Sequence, residues 1–170
     1  MKTFVRIAAL AVAAAAATPA AAAPVAVSGT APVAKAQIVK PLTLTRVADL
    51  NFGTILLGTL TANQTVSLTP AGALTCGSAG LTCSGTTAVA QYKVTGTNNQ
   101  TVFIYSAATN LTNANDSTTI AFTPSVQASV ALGNSGTAGV NFPVGGSIVI
   151  TPTTTDGLYS GAINVTVDYN

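Results

Sequence analysis

Tyr159-Ser160-Gly161-Ala162-Ile163-Asn164-Val165-Thr166-Val167-Asp168-Tyr169-Asn170 closes the chain. Tyr159, Gly161, Ile163, Val165, Val167 and Tyr169 take alternate positions, and Ser160, Ala162, Asn164, Thr166, Asp168 and Asn170 fill the others. Side chains of a strand point alternately to opposite faces, so this pattern predicts one long strand with a single buried face. Asp156-Gly157, just ahead of it, is a turn signal.

The same alternation recurs upstream. Residues 37–47 read as extended, with Pro41 implying an edge or a bulge near the start. Residues 50–57, Leu-Asn-Phe-Gly-Thr-Ile-Leu-Leu, form the most apolar stretch and are expected deep in the core. Residues 64–68 turn Val66 and Leu68 inward, and residues 88–95 place Ala90, Tyr92 and Val94 on one face. Residues 102–106, 119–123, 139–144 and 147–151 complete the expected strands. Turn clusters separate them: Gly96-Thr97-Asn98-Asn99, Thr112-Asn113-Ala114-Asn115-Asp116, Gly133-Asn134-Ser135-Gly136 and Gly145-Gly146. No helical periodicity is sustained beyond the first 22 residues. Many short strands punctuated by Gly, Asn and Pro predict an all-β fold, an antiparallel β-sandwich.

The N-terminus predicts export. Lys2 and Arg6 precede an apolar run over residues 7–17, then Thr18 and Pro19 break it, and Ala20-Ala21-Ala22 offers small residues to a signal peptidase. Residues 1–22 are therefore expected to be a cleaved signal peptide. The run is too short to span ~30 Å of hydrocarbon. Residues 37–170 are expected to form the sandwich. Between them, residues 23–36 read as a flexible leader. Yet Val25, Val27, Gly29, Ala31 and Val33 all sit at odd positions, the spacing of a segment able to lie along a sheet edge as a donated strand.

Composition narrows the function. The chain carries six Lys and Arg against four acidic residues, and two of the cations leave with the signal. The remainder is formally neutral, which gives nucleic acid no basic face to bind. His, Glu and Trp are absent. A Ser nucleophile would lack its usual base, and the four Asp residues are scattered without a motif, so no enzyme, no catalytic residue and no cofactor is expected. Asn113, Asn115, Asp116 and Ser117 crowd oxygen donors into one turn, but a single carboxylate is thin for a hard cation. The sequence leaves a weak cation site there open. Cys76 and Cys83 are the only cysteines, and an even count in an exported chain predicts one disulfide between them.

Lys40-Pro41-Leu42-Thr43-Leu44-Thr45, Asp49-Leu50-Asn51-Phe52-Gly53-Thr54, the Cys pair in a Gly/Ser loop, Gly157-Leu158-Tyr159-Ser160-Gly161 and the closing Val165-Thr166-Val167-Asp168-Tyr169-Asn170 together resemble a bacterial family, domain of unknown function 4402. The closing pattern also resembles subunits of chaperone–usher fimbriae and spore-coat-U type pilus proteins. That second resemblance implies an immunoglobulin-like sandwich lacking its final strand. It further implies a periplasmic chaperone and an outer-membrane usher as partners, and self-association into a surface fibre (fimbria or pilus). It assigns the donor role to residues 23–36 and the chaperone and assembly strand to Ile163, Val165, Val167 and Tyr169. The alternative is a self-complete secreted or surface sandwich that acts as an adhesin or binding module.

Overall fold

The computed structural model describes residues 22–77 and 80–169. The expected signal peptide, save Ala22, lies outside the described residues, as do Ser78, Ala79 and Asn170. The chain divides into two units between Gln37 and Ile38. In the first, the described residues form neither strand nor helix, and Val25, Val27 and Val33 are exposed. A bend at residues 28–30 carries Gly29 at φ +94°, so the valine alternation is interrupted there.

The second unit is an all-β, antiparallel sandwich. Its strands are β1 (Thr43–Ala48), β2 (Thr54–Leu57), β3 (Gln64–Leu68), β4 (Leu74–Thr75), β5 (Leu81–Ser84), β6 (Ala90–Thr95), β7 (Thr101–Ala107), β8 (Thr109–Asn113), β9 (Thr119–Val126), β10 (Ser129–Ala131), β11 (Val140–Ile150), β12 (Tyr159–Ser160) and β13 (Asn164–Tyr169). One large sheet runs β1-β6-β11-β9-β8-β12, with β3 also on β11 and β4 on β3. A second sheet has the order β10-β7-β13, and β2 pairs with β5 as a third.

The long strand β11 organises the core. Its first half pairs with β6 over Val140–Val144, and its second half pairs with β3 over Gly146–Ile150. Phe142 and Val144 point into one cluster, with Ala90, Val94, Val102, Ile104 and Leu132, between the large sheet and the β7 sheet. Ile148 and Ile150 point into a second, with Val66, Ile120 and Phe122, which Ile55, Leu81 and Cys83 of the β2–β5 pair help cover. Leu50 and Ile163 pack against both clusters. The aromatic pairs follow suit: Tyr92 stacks on Phe142 in the first (centroids 5.9 Å apart), and Phe52 meets Phe122 edge-on in the second (6.3 Å). Each such pair adds about 0.5–1.5 kcal/mol beyond burial.

Both in-strand prolines sit where one neighbour has ended. β9 first pairs with β11 at Val144, one residue after Pro143, and β8 pairs with β9 only as far as Phe122, short of Pro124. A missing N–H is tolerated at such places.

Four expectations need correction. Gly145-Gly146 is no turn but the middle of β11, so residues 139–144 and 147–151 are one strand. A Cβ on Gly145 would overlap the Leu68 carbonyl oxygen and lie 2.7 Å from the Thr69 carbonyl carbon, while one on Gly146 would lie 2.7 Å from Cζ of Phe122. The glycines are there because backbone and ring approach this closely. Residues 50–57 are not deep: Leu56 is 66% exposed, because β2 buries one face only. Residues 159–170 are not one strand. β12 pairs with β8 in the large sheet, and β13 pairs with β7 in the second, so the chain changes sheets at residues 161–163. The inward and outward faces nevertheless hold, with Tyr159, Ile163, Val165, Val167 and Tyr169 half-buried and Gly161 alone of the inward set exposed. The first strand begins at Thr43, not at residue 37. Short or polar β4, β5, β8 and β10 carried no alternation to find.

Cys76 and Cys83 are bonded, with Cα atoms 5.9 Å apart. Cys76 follows β4 of the large sheet and Cys83 lies in β5, so the bridge fastens the small sheet beside the second cluster. Chain entropy for so short a loop gives about 2.5 kcal/mol. Replacing both cysteines by serine is expected to lower unfolding stability by about that much in urea titrations, and a reductant should reproduce the loss in the native chain.

Candidate functional site

Edge strands decide what such a sandwich can join, because each presents a row of unpaired N–H and C=O groups. Among the described residues the free edges belong to β1, β12, β4, β10, β13 and the β2–β5 pair. β4 and β12 have two residues each and β10 three, too short to template another strand. β2 and β5 have four each. β1 is longer but defended. Its pairing with β6 slips between Arg46 and Ala48, and Arg46 is ion-paired with Asp49. A bulge and a charged pair are common guards of an edge.

β13 has no such guard. It runs six residues in unbroken register from Asn164↔Ala107 to Tyr169↔Val102, with no bulge or proline and one charge, Asp168. Its inward residues Val165, Val167 and Tyr169, with Ile163 ahead of them, pack on the first core cluster. Leu42, just ahead of β1, and Leu44, within it, pack on that same cluster. The unpaired edges of the two sheets therefore border one side of the core.

Two tyrosine hydroxyls bridge the sheets along this side. The Tyr92 hydroxyl, from β6, donates to the Ile163 carbonyl at 3.3 Å. Burial raises the Tyr92 phenol above its ordinary pKa, which keeps it a donor. The Tyr169 hydroxyl donates to the Lys40 carbonyl at 2.7 Å and accepts from the Thr97 N–H at 2.8 Å. Ile163, Val165, Val167 and Tyr169, to which the fimbrial resemblance assigns assembly, thus lie together on one strand and its approach. Tyr92, Lys40 and Thr97 were not singled out as partners of that strand. An inward tyrosine signals that its hydroxyl needs a partner, but sequence does not say which backbone group supplies it.

The donor candidates Val25, Val27, Gly29, Ala31 and Val33 lie in the other unit and form no strand there. The oxygen-rich turn is occupied with its own closure. Asn113, 2% exposed, donates to the Asp156 carbonyl and the Thr155 hydroxyl and accepts from the Asn115 N–H. Asp116 accepts from the Thr118 N–H and hydroxyl and from the Thr155 hydroxyl. These bonds, that from Thr155 foremost, hold the Asp116 carboxyl below the usual aspartate range. The turn is a knot tying the β8–β9 turn to the loop before β12. Among the described residues no group of three or more His, Cys, Asp or Glu is placed to hold a metal. None of the described helices is long and apolar enough to cross a membrane.

No curated protein and no solved structure matches the chain. A model of the family described as Domain of unknown function (DUF4402) matches residues 42–169. That span runs from the residue before β1 to the end of β13, the whole of the sandwich and both of its facing edges, and the chain belongs to the DUF4402 family.

Proposed function

We propose that this protein is an exported, non-enzymatic structural subunit of a bacterial surface fibre, assembled by strand complementation at the β13 edge. The observation that carries the reading is that edge: six residues in unbroken register, without bulge or proline, beside a core shared with β1. An added strand there gains backbone hydrogen bonds along its length and seats alternate side chains inward, which fixes register. The donor is residues 23–36 of a second copy, whose Val25, Val27, Gly29, Ala31 and Val33 supply the inward set. In this reading a periplasmic chaperone covers the edge before assembly, and an outer-membrane usher passes subunits to the surface. A neutral Thr- and Asn-rich surface, poorly protected against association, suits a protein that spends its life in a polymer.

The test is the chain from residue 23 compared with the chain from residue 37. The longer protein should form oligomers that survive SDS without heating, and the shorter should not. Two equally stable monomers, with no chaperone co-purifying and no surface filament lost on gene deletion, would overturn the reading.

One observation favours the alternative, a self-complete secreted or surface module that binds a ligand. Tyr92 and Tyr169 already tie the two sheets together, and the inward face of β13 is half-buried as it stands. That reading expects a stable monomer with residues 23–36 dispensable.

A further inference from the structure

The two tyrosine bridges are placed as a pair. Ile163 and Tyr169 lie at opposite ends of the β13 segment, six residues apart, about 20 Å of extended chain. At the first end the large sheet reaches over to the second, through Tyr92 to the Ile163 carbonyl. At the other the second sheet reaches back, through Tyr169 to the Lys40 carbonyl and the Thr97 N–H. Between the two points, among the described residues, β13 has no strand partner on its outer side. Both tyrosines are anchored by their rings, Tyr92 on Phe142 and Tyr169 against the first cluster, so the hydroxyls are held at fixed reach.

We propose that Tyr92 and Tyr169 form a two-point clasp that holds the sheets together at both ends of β13 and so sets the rate at which a strand from a second copy is added to that edge. This rests on the fibre reading. Seating an inward row of side chains between β13 and β1 requires the sheets to part, and parting them breaks both bridges. The clasp therefore regulates the step. A lone subunit stays closed, and addition waits for an opening in which both hydroxyls let go together.

The experiment uses the chain from residue 23 as wild type, Tyr92→Phe, Tyr169→Phe and the double variant. Each change removes a hydroxyl and keeps the ring. Self-assembly is followed by light scattering, exchange of the Thr97 amide reports opening at the Tyr169 end, and urea unfolding is run on every variant. Ile150→Val, in the second cluster, serves as a control for general destabilisation. A net hydrogen bond of ordinary strength corresponds to about a threefold to tenfold change in an equilibrium. Each single variant should assemble faster by roughly that factor, the double by roughly their product, and Thr97 should exchange faster in Tyr169→Phe. Assembly rates that do not change, or an equal acceleration by Ile150→Val at matched stability, would overturn the clasp and leave the fibre reading standing. Stable monomers from all of the chains would overturn the fibre reading, and the clasp with it.

Discussion

Gly145→Ala is expected to cost more than about 3 kcal/mol, enough to leave a large unfolded fraction in a domain of ordinary stability. The new methyl group would overlap the Leu68 carbonyl oxygen and sit 2.7 Å from the Thr69 carbonyl carbon and 2.8 Å from the Pro70 nitrogen. All three are main chain, so no rotamer change relieves the clash. Relief requires β3 to move away from β11 just where their pairing begins at Gly146↔Leu68. Val66 and Leu68, both buried in β3, would move with it. Gly72→Ala is the control. Gly72 has φ +87° and nothing within 4 Å of the added carbon, so its cost is conformational alone, about 1 kcal/mol. Urea unfolding of the two variants separates the causes. A Gly145→Ala protein no less stable than Gly72→Ala would show that β3 and β11 can part freely, contrary to this packing.

That position also shows where sequence was readable. Alternation is a local signal, set by the pleat, and it identified the inward faces of β3, β6 and the β12–β13 segment correctly. Val66, Leu68, Ala90, Val94, Val165 and Val167 all follow from it. What it could not report is distance to a strand far along the chain. Gly145-Gly146 has the composition of a turn, and only the arrival of Leu68 and Phe122 shows that the glycines make room inside a strand. Leu56 and Leu57 fail for the same reason. Hydrophobicity says that a residue could be buried, but the number of sheets packed on β2 decides whether it is. The change of sheet at residues 161–163 leaves no mark on the alternation, since Tyr159 faces the second cluster, Val165, Val167 and Tyr169 face the first, and Ile163 between them packs on both. The Cys76–Cys83 bridge was legible because two cysteines allow one pairing. The two tyrosine bridges were not, because their partners are main-chain carbonyls and an N–H, groups that sequence does not distinguish.

Phe142→Ala should cost about 3–5 kcal/mol, the range for emptying a buried aromatic site. Phe142 is fully buried at the centre of the first cluster and faces Tyr92 directly across the β6–β11 pair. Its removal takes away apolar contact and also the ring on which Tyr92 is stacked. Two observables should therefore move together. Unfolding stability should fall, and the Tyr92 ring signals in NMR should broaden or shift as its hydroxyl loses a fixed approach to the Ile163 carbonyl. Phe142→Leu keeps most of the volume and should lose less stability while still freeing the Tyr92 ring. Phe103→Ala offers the contrast of face. Phe103 is in β7, between the buried Val102 and Ile104, and points the other way. Its loss should cost about 1 kcal/mol, as for a half-exposed side chain, and leave Tyr92 undisturbed. A small effect for Phe142→Ala, or equal effects for Phe142 and Phe103, would place the core elsewhere than between the large sheet and β7. The β13 edge, proposed above to receive a strand from a second copy, would then lose its packed support.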